Sequence, residues 1–121
     1  MITLWIAIFG GIGAVLRFVT DGVIRTVLGR NFPWGTMIIN VTGSFILGIL
    51  TGLVLHNEVS NNLLLVIGTG FCGGFTTFST AIFEAVRLIE ERRYTTFLAQ
   101  IFGNAALSLF AATLGLLLIS S

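Results

Sequence analysis

A stretch that reads GTGFCGGFTTFST, residues 68–80, lies inside an otherwise continuous apolar part of the chain. A bilayer forces backbone N–H and C=O groups into helical hydrogen bonds, because the hydrocarbon holds no water to satisfy them. The four glycines of this stretch make a helix easy to open, and hydroxyl side chains follow at once. Non-helical backbone at membrane depth is tolerated only when it is buried in protein or lines a cavity. We therefore expect a helix broken at mid-membrane, of the kind that presents carbonyl groups to ions in channels and transporters.

Composition places the chain among membrane proteins. Of its 121 residues, 55% are hydrophobic and only 9% are charged. A transmembrane helix needs roughly 20 apolar residues. Four blocks are long enough and predict an all-α membrane protein with one four-helix transmembrane domain, residues 1–121; they cover about Ile2–Val19, Trp34–Leu55, Leu63–Ile89 and Thr95–Ile119. We expect a connection of about 15 residues after the first helix, and shorter ones after the others.

Residue types that catalysis and metal binding require are sparse. The chain has one cysteine and one histidine. Cys72 alone excludes an intrachain disulfide, and no cluster of histidine, cysteine and carboxylate residues suits a transition metal. Paired carboxylates, nucleophile–base spacings and phosphate-binding loops are also absent from the sequence. We therefore expect neither an enzyme nor a nucleic-acid-binding protein.

The basic residues fall on one side of the predicted bundle. With four spans, the first and third connections share a side, and all six basic residues lie on or near it: Arg17, Arg25, Arg30, Arg87, Arg92 and Arg93. The positive-inside rule then puts both termini outside the cytoplasm. We expect a multi-pass protein of the plasma membrane, in contact with lipid.

Polar side chains recur every four residues in two of the predicted helices, Thr36, Asn40 and Ser44 in the second and Gln100, Asn104 and Ser108 in the fourth. This spacing places each set on one helix face. Hydrogen bonds between helices are one interpretation, at about 0.6 kcal/mol each on average. An asparagine amide needs more partners than one backbone carbonyl provides, however. Together with the broken helix, the two stripes favour a polar pathway.

Small residues predict where helices pack closely. They recur at intervals of four in Ser44–Gly48–Gly52, Ala7–Gly11 and Ala111–Gly115, and such faces let helix backbones approach each other. Two charged side chains, Arg17 and Glu84, lie in or near the membrane, and Glu84 is spaced to pair with Arg87. We interpret these charges either as structural or as a vestibule that guides an ion.

Three motifs resemble the Fluc/CrcB family of small fluoride channels: GGIGAVLRF at 10–18, GTMIINVTGSF at 35–45 and GFCGGFTTFST at 70–80. The resemblance covers essentially the whole chain. It implies a fluoride-selective channel that lets fluoride leave the cytoplasm passively and so lowers toxic internal fluoride. The implied fold is an antiparallel, dual-topology dimer in which the third helix of each subunit is broken. A structural sodium ion at the dimer centre would be held by the carbonyl groups of Gly73 and Thr76.

The same resemblance implies a fluoride pathway along the subunit interface. Asn40, Phe78 and Ser108 match its lining, Thr80 lies nearby, and Thr36 shares the face of Asn40. Fluoride holds its water strongly, so the amide and hydroxyl groups must act as donors in place of water. An aromatic edge carries partial positive charge and can face an anion. A sodium ion would raise the electrostatic potential for an anion.

One position departs from the family pattern, which usually has a second phenylalanine three residues after the first. Here that position is Ala81, and the next ring, Phe83, lies two residues later. Two residues turn a helix by about 200°, so Phe83 cannot simply substitute. Either the pore is degraded or another ring fills the gap. The uneven arginines add a hypothesis: the partner is a paralogous chain of opposite orientation, and not a second copy.

Two other functions remain open from the residues. A small four-helix exporter of the multidrug type needs a buried carboxylate in its first helix, where the first acidic residue is Asp21 at the end of the block. A non-transporting membrane assembly subunit would account for the small-residue faces, but not for the broken helix beside Asn40.

Overall fold

Helices make up nearly all of the described chain. The computed structural model describes residues 1–29, 32–56, 58–76 and 78–120, except for the side chains of Phe78, Ser79 and Ser120. The elements are α1 (Ile2–Leu28), α2 (Trp34–Leu55), α3 (Asn61–Leu63), a π-helical segment π1 (Leu64–Cys72), α4 (Gly73–Phe75), α5 (Phe78–Glu90) and α6 (Tyr94–Ser120). Four spans are long and apolar enough to cross a membrane, namely Ile2–Leu28, Trp34–Leu55, Asn61–Glu90 and Tyr94–Ile119. The prediction of an all-helical, four-span membrane protein is confirmed.

The first helix is longer than the apolar block predicts. It continues beyond Val19 to Leu28, and within this extension Asp21 and Arg25 form an ion pair one turn apart. It ends at Gly29, whose φ of 85° favours glycine and whose N–H donates to the carbonyl of Arg25 at 3.0 Å. The prediction of a 15-residue first connection is therefore wrong, since α2 begins at Trp34.

Helix α2 packs most extensively on α6, and small residues allow the close approach. A Cβ on Gly48 would collide with the backbone carbonyl of Ala112. A Cβ on Gly115 would lie 2.6 Å from the carbonyl oxygen of Phe45 and 3.0 Å from the backbone nitrogen of Ile49. The predicted packing through Gly48 and Gly115 is confirmed.

Helix α1 packs on π1 and α4 through glycines that the four-residue pattern did not select. A Cβ on Gly74 would collide with the carbonyl oxygen of Gly10, and one on Gly13 would lie 2.8 Å from the backbone nitrogen of Phe75. Nothing lies within 4 Å of a Cβ on Gly11. The predicted packing face Ala7–Gly11 is therefore wrong within this chain. One residue turns a helix by about 100°, so Gly11 lies off the face that Gly10 and Gly13 share.

The third span changes its backbone conformation along its length. Its first part contains nine π-helical residues, π1, in a conformation that is rare and frequently found at functional sites. After α4, Thr76 has φ −79° and ψ 160°, an extended conformation. Thr77 lies outside the described residues, and α5 starts at Phe78. Helix α5 makes its main packing contact with α6.

Candidate functional site

A cavity of about 510 Å³ lies between α2, the third span and α6. We call it the central cavity, and its lining residues are Asn40, Gly43, Ser44, Leu47, Gly68, Cys72, Gly73, Thr76, Ala81, Ile82, Gln100, Ile101, Asn104, Ala105 and Ser108. None of these side chains is ionised at neutral pH. The cavity reaches the surface of the chain, where Gly73 and Ala105 are exposed. It therefore combines uncharged polar groups with an open side.

The two polar stripes meet inside the central cavity. Asn40 Nδ2 on α2 donates a hydrogen bond to Asn104 Oδ1 on α6 at 3.3 Å. Ser108 follows one turn later on α6, and its hydroxyl oxygen is buried without a hydrogen-bond partner among the described residues. Two of the predicted pathway residues, Asn40 and Ser108, thus line one cavity. Asn104 holds the Asn40 amide in place through this hydrogen bond.

Other predicted pathway residues lie elsewhere. Thr36 is 1% exposed, and its hydroxyl forms a hydrogen bond with the Glu84 carboxyl. The predicted pairing of Glu84 with Arg87 is wrong, because Arg87 Nε instead donates to Glu91 at 3.3 Å. On a helix Glu91 is four residues from Arg87 and gives the better spacing for two long side chains.

A second, charged cleft of about 360 Å³ lies where α1, α2 and α5 come together. It is lined by Thr80 and Glu84, by the ion pair of Asp21 with Arg25, and by Arg87, Glu91 and Arg93, among others. Thr80 therefore faces this charged cleft, whereas Ala81 lines the central cavity. Phe83 also lines the charged cleft and is 66% exposed, so it does not fill the space beside Ala81. The side chain of Phe78 lies outside the described part.

The two residues expected to bind sodium, Gly73 and Thr76, both line the central cavity. Helix α4 ends at Phe75, and the extended backbone of Thr76 does not continue it. Such a helix end carries partial negative charge. Nothing lies within 4 Å of a Cβ on Gly73, which leaves room for an approaching group. Backbone carbonyl oxygens at a negative helix end are the kind of ligand that a hard cation such as sodium accepts.

Arg17 meets the same helix end from the side of α1. Its Nε donates to the carbonyl oxygen of Gly74 at 3.3 Å, and the side chain is partly buried. A cation at the C-terminus of a helix offsets the partial charge there. Of the two interpretations that the sequence left open for Arg17, this contact favours the structural one.

Gln100 is a residue whose importance the predicted pathway missed. It is 0% exposed, and its Nε2 donates to the carbonyl oxygen of Ala81 at 3.2 Å, so that it joins α6 to α5. Its Oε1 is buried without a partner among the described residues. The signal in the sequence was its position in the stripe of Asn104 and Ser108, although nothing there indicated a contact with α5.

Comparisons with known proteins place the chain in one family. The family model described as "CrcB-like protein, Camphor Resistance (CrcB)" matches residues 4–116. The chain is 50% identical over 116 residues to "Fluoride-specific ion channel FluC 1" of Leifsonia xyli, covering 96% of this chain and 85% of that protein. It is 44% identical over 114 residues to "Fluoride-specific ion channel FluC" of Pyrococcus furiosus, covering 93% of this chain and 91% of that protein. The chain belongs to the CrcB-like family.

Proposed function

We propose that this chain forms a fluoride-specific ion channel, through which fluoride leaves the cytoplasm passively. Its relatives, at 41% to 50% identity, carry the name fluoride-specific ion channel. The four apolar spans make it a multi-pass membrane protein, and its family is one of ion channels and not of enzymes. The comparisons lend no support to a multidrug exporter or to a non-transporting assembly subunit.

The observation that carries the proposal is the amide pair in the central cavity. Asn40 donates to Asn104 within a cavity whose described lining has no ionised side chain. Buried amides in apolar helices are expensive unless they are hydrogen-bonded, and intramembrane polar residues mark ion pathways. An uncharged lining also gives fluoride no fixed cation that would bind it too tightly to release.

The donors around the cavity suit fluoride. Fluoride gives up its water only for strong hydrogen-bond donors, which the Asn40 amide and the Ser108 hydroxyl provide. The Ser108 hydroxyl has no partner among the described residues, so its proton is available to an anion. The ring edge of Phe78 would face the ion with partial positive charge. Thr80, together with Glu84, would line the way out through the charged cleft.

A sodium ion is proposed at the end of α4, held by the carbonyls of Gly73 and Thr76. When bound, it would supply a positive charge beside the path and neutralise converging carbonyl dipoles. The extended backbone of Thr76 and the helix end at Phe75 support this proposal. Thr76 Oγ1 and its N–H both donate to the Cys72 carbonyl, at 2.7 Å and 2.8 Å, which holds Thr76 against the end of the helix.

An inverted second subunit is proposed to close the open side of the central cavity. Four helices enclose too little space for a pore of their own, and the cavity reaches the surface at Gly73 and Ala105. A break in the third helix would then lie against the matching break of the partner. The partner is either a second copy or a paralogous chain, and the one-sided arginines favour the paralogue, because fixed orientations need opposite charge distributions.

Reconstitution of the purified chain in liposomes tests the proposal. With a fluoride gradient and valinomycin to carry potassium, we expect fluoride efflux that needs no proton gradient, and chloride efflux far slower. Efflux driven only by an opposed proton gradient would identify an exporter. Efflux that appears only when a second chain with the opposite arginine distribution is added would identify a paralogous pair. No fluoride movement under any of these conditions would refute the proposed function.

A further inference from the structure

The two ends of helix α5 are joined to the rest of the chain in different ways. Its C-terminal end is held by the turn to α6, where the N–H of Arg93 donates to the carbonyl of Leu88 at 2.9 Å. Its N-terminal end follows Thr76, whose backbone is extended and not helical. This N-terminal end carries Phe78 and Thr80, two residues of the proposed fluoride path.

One fully buried amide reaches the N-terminal half of α5. Gln100 on α6 donates from Nε2 to the carbonyl oxygen of Ala81 at 3.2 Å. That carbonyl can only accept, so the amide orientation is fixed and Oε1 points away from it. Ala81 lies nine residues before the end of α5, about 14 Å along the helix axis. The contact therefore acts far from the turn, where a small tilt of α5 moves its end most.

Stability does not explain why a glutamine makes this contact. Gln100 is 0% exposed, yet its Oε1 has no partner among the described residues. A buried acceptor without a donor destabilises the fold, so an apolar side chain would pack there at lower cost. Single buried polar residues between helices are known to fix one arrangement at the expense of stability. Gln100 has these properties.

We propose that Gln100 is a positioning residue for fluoride permeation, which holds the N-terminal end of α5 against α6. By fixing Ala81, it sets where Phe78 and Thr80 lie relative to Asn40 and Ser108. The inference rests on the proposed fluoride path, but the contact itself is tested separately. Thr36 and its bond to Glu84 form a second tie to α5, one turn further along the helix.

The test uses Q100M, which keeps the side-chain length and removes the donor. The matched control is T113V, because the Thr113 hydroxyl bonds only within α6, to Leu109 at 2.9 Å. Spin labels at positions 83 and 102, both 66% exposed, report the distance between α5 and α6. The labelled protein carries C72S and is diluted with unlabelled protein, and fluoride efflux is measured on unlabelled variants.

We expect Q100M to broaden or shift the distance distribution and to slow fluoride efflux by about fivefold, the factor that one ordinary hydrogen bond contributes. T113V should change neither. An unchanged distribution in Q100M overturns the proposal, whether or not efflux falls. If Q100M does not purify, Q100N, whose amide ends one methylene short of Ala81, is read in the same way. Absence of efflux in the unaltered protein would refute the proposed function, while the distances still decide the role of Gln100.

Discussion

Replacing Asn40 by aspartate changes a single group in the central cavity. The Nδ2 that donates to Asn104 Oδ1 at 3.3 Å becomes an oxygen of nearly the same size. Shape and volume are kept, so the packing of α2 on α6 is barely disturbed. What is lost is the donor, and what is gained is negative charge beside the proposed path. N40D therefore tests whether the Asn40 amide binds fluoride or only joins two helices.

The expected effect is large if fluoride passes this residue. Two unit charges at about 4 Å repel by roughly 4 kcal/mol at an effective dielectric constant near 20. Since about 1.4 kcal/mol is a factor of ten, the occupancy of fluoride beside the ionised carboxylate that N40D introduces falls by about 10³. If the amide only joins helices, N40D loses stability and not fluoride occupancy: the hydrogen bond to Asn104, about 1 kcal/mol, and the cost of burying the new carboxylate.

Fluoride efflux from liposomes and assembly in detergent are measured on the same preparation. N62D is the matched control, because Asn62 undergoes the same chemical change at an exposed position near the start of the third span. We expect N40D to assemble normally and to show no efflux above background, while N62D keeps the rate of the unaltered protein. Efflux by N40D within a factor of three of the unaltered protein, at neutral pH, would refute the placement of fluoride beside Asn40.

Three further predictions follow from packing and ion contacts. G74A should lower the melting temperature in detergent and reduce the free energy of unfolding by about 1–3 kcal/mol, because the added methyl group meets the Gly10 carbonyl. G11A should leave the melting temperature unchanged, because nothing lies close to that position. Equal melting temperatures for the two variants would contradict the packing of α1. T36V should cost about 1–3 kcal/mol in unfolding free energy by removing the donor to the Glu84 carboxyl, and a loss below the error of a denaturation titration would show that the bond is unimportant. Replacing sodium by N-methylglucamine should weaken the dimer, as measured by light scattering, and slow fluoride efflux from liposomes. If neither the dimer nor the efflux rate changes, the proposed sodium site is unnecessary.

Periodicity and composition predicted those features of the fold that depend on a single helix or on its partition into lipid. The bounds of α2, Trp34–Leu55, coincide with the apolar block, since Pro33 precedes it and polar residues follow it. The meeting of Asn40 with Asn104 also agrees with the two polar stripes. In both cases the structure is determined by the exclusion of polar groups from lipid. This exclusion acts on the same residues that form the sequence pattern, so the pattern predicts the structure.

Contacts between distant segments were not predictable in the same way. The sequence shows Arg17 in an apolar block but not that its acceptor is the Gly74 carbonyl, since backbone groups leave no trace in composition. Gln100 and Ala81 meet for a similar reason, through a side chain and a backbone oxygen. The face Ala7–Gly11 misled because small residues permit close approach without requiring it.

The bond from Arg17 to Gly74 has a consequence for biosynthesis. The two residues are 57 positions apart, so the acceptor has not been made when the first helix leaves the ribosome. Until the third span is inserted, the guanidinium must be solvated by water or lipid phosphate, and at the bilayer centre that costs about 2.5–3.5 kcal/mol. The nascent first helix is thus expected to remain shallow or tilted, and to reach its final depth only when the later segment arrives to receive the charge.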